Sequence, residues 1–197
     1  MSTKIIGVTG GVGAGKSTVL AWLKEKYQAR VIEADQVGHE VMKPGTEAYQ
    51  RILEEFGPSV LLEDGRIDRA CLGAIVFSDK EKLQKLNKII HPAVKQEILA
   101  RIALAKQKGE AYVVVEAALF LEEKYDAFCE ETWYIYTNEE NRRTRLRASR
   151  GYSEERITQI FANQKQHKEF LSRCAYMIDN NGTADETYRQ IDRRMSK

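Results

Sequence analysis

Five short runs along the chain are apolar at nearly every position: 4–9, 30–34, 111–117, 132–137 and 175–179. Runs of that length, bounded by polar and turn residues, read as strands. The stretches between them carry helical spacing. After the first run, Val19, Leu20, Leu23 and Tyr27 fall on one face of a helix. Strand and helix alternate, which predicts an α/β fold with a five-stranded, mostly parallel sheet and helices on both faces. Such sheets place ligands at the carboxyl ends of their strands.

Residues 44–109 interrupt the alternation. They hold no good strand and several short helices. Tyr49, Ile52, Leu53 and Phe56 form one helical stripe, stopped by Gly57-Pro58. Ser78 with Glu81 predicts a capping box for the next helix. Pro92 suits the first turn of the one after. The segment reads either as an inserted substrate lobe or as ordinary crossover helices. Thr137 with Glu140 and Thr183 with Glu186 predict two further capping boxes, opening helices near 139–149 and 184–195. The whole chain is expected to form a single domain, with its core in 1–43 and 110–197 and a lid near 138–154.

The join between the first strand and its helix changes the picture from fold to chemistry. Gly10-Gly11-Val12-Gly13-Ala14-Gly15-Lys16-Ser17 fits G-x-x-x-x-G-K-[S/T]. Backbone N–H groups in such a loop cradle phosphates, the lysine reaches the β- and γ-phosphates, and the serine hydroxyl ligates Mg²⁺. The helix N-terminus adds the positive end of its dipole. Strand, glycine loop and helix in that order make this a P-loop, so the three-layer fold is of the P-loop NTPase kind.

Other residues acquire candidate roles from that neighbour. Asp35 closes Val31-Ile32-Glu33-Ala34-Asp35 and reads equally as a base or water-mediated Mg²⁺ ligand and as the N-cap of a helix from Gln36. Alternation puts Glu33 on the same face. Glu116 ends Val113-Val114-Val115 and reads as a Mg²⁺ or water-positioning acid, or as a plain surface acid. Arg142, Arg143, Arg145, Arg147 and Arg150 crowd one predicted helix and its exit. They read as a lid over a triphosphate or as a solvated basic face touching Glu139, Glu140 and Glu154. His91, before Pro92, is a structural histidine or a substrate contact. Arg66 and Arg69 flank Asp68, and bind a phosphate or only accompany a helix cap.

Composition narrows the class. A net charge of +2 over 197 residues argues against a nucleic-acid partner. No run approaches a membrane span, and the chain enters its first strand at once, so neither a membrane partner nor a signal peptide is expected. Cys71, Cys129 and Cys174 are odd in number and far apart, which fits buried free thiols in a cytoplasmic protein.

The motifs together resemble one family. Thr9-Gly10-Gly11-Val12-Gly13-Ala14-Gly15-Lys16-Ser17-Thr18 resembles the P-loop of the dephospho-coenzyme A kinases. Glu33-Ala34-Asp35 resembles their D-A-D. Gly65-Arg66-Ile67-Asp68-Arg69 through Val76-Phe77 resembles their G-x-I-D-R…V-F. Ile89-Ile90-His91-Pro92 and Ile178-Asp179-Asn180-Asn181-Gly182 resemble their I-I-H-P and I-D-N-x-G. The resemblance implies transfer of the ATP γ-phosphoryl group to the ribose 3′-hydroxyl of dephospho-coenzyme A, with Mg²⁺, by a monomer or weak homo-oligomer. It places ATP on residues Gly11 to Thr18 and Asn180, and the base on Asp35. The acceptor falls to Thr9, Asp35, His91, Arg66 and Glu116, and Mg²⁺ to Ser17 and Asp35. A lid arginine is expected among Arg142, Arg147 and Arg150. Three departures stand out. Glu33 replaces the first Asp of D-A-D. Ala117-Ala118-Leu119-Phe120-Leu121-Glu122 lacks the proline of P-L-L-F-E. Ser149-Arg150-Gly151-Tyr152-Ser153 carries its arginine one place later than R-[D/N]-G-[L/Y]-S. The missing proline and the shifted arginine leave open a P-loop kinase of another small hydroxyl, such as a nucleoside or nucleotide. A guanine-dependent switch is disfavoured, because no N-K-x-D follows: Asn87-Lys88 runs into Ile89-Ile90.

Overall fold

The computed structural model describes residues 2–196. The strands are β1 (Lys4–Thr9), β2 (Arg30–Glu33), β3 (Tyr112–Glu116), β4 (Glu131–Tyr136) and β5 (Tyr176–Asp179). They lie in the order β2-β3-β1-β4-β5. The sheet is parallel throughout, with Val8 beside Glu116, Thr9 beside Tyr134 and Tyr136 beside Asp179. Parallel pairing needs a crossover between neighbours. Helices supply it: α1 (Lys16–Tyr27), α2 (Ala34–Val41), α3 (Glu47–Phe56), α4 (Arg69–Phe77), α5 (Lys80–Gln107), α6 (Glu139–Arg150), α7 (Glu154–Ala162), α8 (His167–Arg173) and α9 (Ala184–Met195). Two compact units result. One runs to Val31 and resumes at Ala105; the other is Ile32–Leu104.

The first unit packs Ile6, Val8, Val114, Trp133, Ile135 and Ile178 of the sheet against Val19, Leu23 and Ile191. The centre is close-packed. A Cβ on Gly7 would lie 2.1 Å from the Phe120 ring, so β1 has a glycine where that ring crosses it. Helices α1 and α9 are tied by Asp192, which accepts from Trp22 Nε1 (2.9 Å), Tyr27 Oη (2.7 Å) and Lys26 Nζ (2.7 Å), and by a Trp22–Tyr188 stack.

Several local expectations change. Pro92 does not open a helix; it lies inside α5, a helix of 28 residues. An interior proline costs about 3 kcal/mol. Buried Leu86 and Ile89 before it, and Val94, Ile98 and Ile102 after it, outweigh that. Asp79, not Ser78, caps α5, its carboxylate accepting from the N–H groups of Glu81 and Lys82. Asn138, not Thr137, caps α6. Thr137 is drawn inward instead, donating to the Ala14 carbonyl (2.9 Å). The Thr183–Glu186 box forms as expected. The three thiols are free but half-buried rather than buried. Burial pushes Cys129 up to about 12 and Cys174 to about 11.

Candidate active site

The glycine loop leaves β1 after Thr9 and enters α1 at Lys16. No acidic residue lies in the first turn of α1 and no side chain caps it. The positive end of that helix is therefore not neutralised from within. Among the described residues, no protein acceptor takes the N–H of Gly11, Gly13, Gly15, Lys16 or Ser17. Five donors on one loop and helix end form an anion cradle. The Ser17 hydroxyl is exposed and has no protein partner among the described residues, which fits a residue that ligates Mg²⁺. Thr18 follows in the same turn. Lys16 Nζ donates to the Gly10 carbonyl (2.8 Å) and pairs with Glu116 (3.4 Å). The β1–β3 register explains the second contact, since Val8 and Glu116 are partners across the ladder. Glu116 is 8 % exposed and Thr9 fully buried, its hydroxyl donating to Ala117 O (3.4 Å).

Neighbours crowd three of the loop glycines, Gly10 against backbone and Gly11 and Gly15 against side chains. A Cβ at Gly10 would meet the Ile135 carbonyl at 2.6 Å. At Gly11 it would meet the Arg142 guanidinium at 2.5 Å, and at Gly15 the Asn180 amide at 2.2 Å. The loop carbonyls face those neighbours. Arg142 Nε donates to Val12 O (2.8 Å), and Asn180 Nδ2 to Ala14 O (2.8 Å). Gln164 Oε1 accepts from both Val12 N (3.3 Å) and Arg142 Nη2 (2.5 Å).

The five arginines separate by face. Positions 142, 145 and 146 share one side of α6, and 143, 147 and 150 another. Arg142 lies over the Phe161 ring (4.1 Å), and burial lowers its guanidinium pKa. Arg145 donates to Asn180 O (2.7 Å) and Thr137 Oγ1 (3.3 Å), beside fully packed Leu146. Arg143 is held by Glu139 (2.7 Å) and Glu154 (2.8 Å), and Arg147 by Glu154 (3.1 Å). Arg150 lies exposed beside Tyr152. Only the first face meets the loop. Sequence reasoning did not set Arg145 apart within the run, read Thr137 only as a helix cap, and gave Gln164 and Thr187 no role. The i, i+3 spacing of Arg142 and Arg145 beside apolar Leu146 was the available signal.

In the second unit, α2 opens at Ala34 rather than Gln36. Asp35 thus lies in the first helical turn, not on the strand with Glu33, and no side chain caps this helix. It is exposed and without a partner among the described residues. Arg66 pairs with Asp64 (2.7 Å), and that hydrogen bond holds the Asp64 carboxyl below its ordinary value. Asp68 caps α4 through Ala70 N (2.9 Å) and Cys71 N (3.0 Å). His91 is half-buried within α5.

A parallel five-stranded sheet, an uncapped glycine loop with a lysine at its helix, and arginines from a following helix on that loop together define a P-loop kinase. The dephospho-CoA kinase family model matches residues 4–186, and the chain belongs to that family. Dephospho-CoA kinases of Geobacillus kaustophilus and Geobacter sulfurreducens are each 39 % identical to it. The first match covers 96 % of this chain and 94 % of the relative; the second covers 98 % of each. A crystal structure from Thermus thermophilus superposes with a TM-score of 0.82 at 26 % identity, over 100 % of this chain and 98 % of that one. A shikimate kinase from Acinetobacter baumannii shares the fold, with a TM-score of 0.57 at 16 % identity over 98 % and 94 %.

Proposed function

We propose that this chain transfers the γ-phosphoryl group of ATP to the ribose 3′-hydroxyl of dephospho-CoA, the last step of coenzyme A synthesis. The observation that carries this reading is the cradle itself: the N–H groups of Gly11, Gly13, Gly15, Lys16 and Ser17, which no protein acceptor takes among the described residues, with Lys16 held between Gly10 and Glu116. Family membership across residues 4–186 supplies the acceptor.

The transfer is in-line. The 3′-oxygen forms a bond to the γ-phosphorus while the bond to the β–γ bridging oxygen breaks, and ADP leaves. Asp35 takes the hydroxyl proton, a role supported by its place in Glu33-Ala34-Asp35 and its free carboxylate. Lys16 and the loop N–H groups hold the triphosphate charge as it shifts toward ADP. Ser17 would hold Mg²⁺, with Asp35 through water, and the ion would supply charge neutralisation for the phosphates. Of the lid arginines, Arg142 is assigned to the reacting phosphate. Arg147 and Arg150 lie on the outer face. Thr9, Glu116, Arg66 and His91 are assigned to the acceptor side, and Asn180 to the nucleotide site. Among the described residues, no helix is long and apolar enough to cross a membrane. We infer a cytoplasmic enzyme, monomeric or weakly self-associating.

The test is ADP release with ATP and Mg²⁺, with and without dephospho-CoA, and a check of the product for a 3′-phosphate. Strong stimulation with that product is expected. A folded, ATP-binding protein that dephospho-CoA does not stimulate overturns the acceptor assignment, and a nucleoside panel then identifies the replacement.

A further inference from the structure

Asn180 follows β5 and lies directly beneath the phosphate loop, 4 % exposed. Every polar group it owns is engaged. Its Nδ2 donates to Ala14 O (2.8 Å) and its Oδ1 accepts from Thr187 Oγ1 (2.7 Å). Its main-chain N–H donates to Tyr136 O (2.8 Å), and its carbonyl accepts from Arg145 Nη2 (2.7 Å). These partners fix the amide one way round. Reversed, its oxygen would face the Ala14 carbonyl oxygen, acceptor against acceptor.

The Ala14 carbonyl is therefore gripped from below by Asn180 and by Thr137. A trans peptide unit is planar, so its C=O and the following N–H point in opposite directions. Holding the Ala14 carbonyl down turns the Gly15 N–H up, to the face of the loop where no protein acceptor meets it among the described residues. Gly15 is itself part of the device. Its φ of +84° suits glycine, and a Cβ there would occupy the space of the Asn180 amide.

We infer that Asn180 is a positioning residue for the triphosphate: it acts through the Ala14 carbonyl to aim the Gly15 N–H and makes no contact with the base. Thr187 holds the amide in register. This deepens the nucleotide assignment above and rests on reading Gly10–Ser17 as the triphosphate site.

Binding of ATP, tripolyphosphate and adenosine, each measured by calorimetry without acceptor, tests it. Asn180→Asp keeps the shape and the Thr187 bond but replaces the donor with an acceptor. ATP and tripolyphosphate should weaken by the same factor, about tenfold, with adenosine unchanged. Thr187→Val, which replaces the hydroxyl with a methyl group of similar size, should give the same pattern at about threefold. Equal loss for adenosine means Asn180 contacts the base and overturns the inference. So does unchanged tripolyphosphate binding in either variant. If Asn180→Asp does not fold, Thr187→Val decides. A wild-type protein that binds no tripolyphosphate defeats the nucleotide assignment as well. One that binds it but phosphorylates no dephospho-CoA defeats only the acceptor assignment.

Discussion

Lys16 and Asp35 both stand in the first turn of a helix, α1 and α2, and differ in what surrounds them. A helix N-terminus favours anions and disfavours cations by about 0.3–1 kcal/mol. Asp35 is on the favourable side of that field and takes no protein partner among the described residues. Lys16 is on the unfavourable side and is held by two acceptors, the Gly10 carbonyl and Glu116. A cation kept at a positive helix end gains most when a phosphate arrives. A carboxylate there is already stable, exposed and open to a substrate hydroxyl. The loop is thus organised in advance around a ligand of constant shape, while the proposed base waits without fixed contacts.

Breaking the organised side should have the largest effect. Lys16→Ala is expected to lower kcat/KM by at least about 10³-fold, because a cation aimed at the shifting charge is lost. Steady-state ADP formation measures it. ATP affinity should fall too, and Tm should drop modestly, since Glu116 then lies buried without its ammonium partner. Asp35→Asn should behave differently. A lost base lowers kcat by about 10²–10³-fold. ATP affinity and Tm should hold, because the exposed side chain has only the helix field to lose, at most about 1 kcal/mol. Near-normal turnover of Asp35→Asn would remove the base assignment.

The two faces of α6 sharpen the same contrast. Arg142→Ala should cost about 10²-fold in kcat/KM, since it unpins Val12 and removes the inner guanidinium. Arg147→Ala and Arg150→Ala should each cost no more than about threefold, their charges being answered by Glu154 or by solvent. Equal losses at all three positions would mean that α6 moves as a whole onto the phosphates and that its faces do not divide the work.

Much of this was open to reading in the sequence, because the fold-determining signals are local. The strands, the loop, the stripe of α3 and the Thr183–Glu186 box all arise within a few residues. The errors cluster where two neighbours compete for one role. Ser78 and Asp79 both suit a cap, and the carboxylate, a stronger acceptor, takes it. Thr137 and Asn138 both suit the cap of α6. The threonine is claimed by Ala14, which is 123 residues away. Asn180 meets the same carbonyl across 166 residues. No periodicity encodes either contact, so the underside of the loop becomes visible only once β4 lies beside β1 and β5 beside β4. The separation of the arginines was legible in principle, since Arg142, Arg145 and Leu146 share a helical face, as do Arg143, Arg147 and Arg150.

Glu131, at the opposite end of the sheet strands from the loop, provides the control with the smallest effect on activity. It is buried and binds Lys4 (3.1 Å), Trp133 Nε1 (2.5 Å) and Arg194. Burial opposes its charge, yet the hydrogen bonds from Arg194, Trp133 and Lys4 together outweigh burial and hold its carboxyl below the ordinary value. A depressed folded-state pKa adds stability above the unfolded pKa, and that stability is lost as pH falls through the folded one. Glu131→Gln should therefore lower Tm at pH 7 by about 4–8 °C, from about 2 kcal/mol lost in a chain of this size. The gap between variant and wild type should close as pH falls below the ordinary carboxylate range, while kcat/KM at 25 °C stays within about twofold. Thermal melts between pH 3 and pH 7 measure the first. A gap that does not narrow means that Glu131 stabilises β4 by shape rather than by charge. A large loss of kcat/KM would show that the organisation of the phosphate loop extends through the whole length of the sheet rather than depending on the residues directly beneath it.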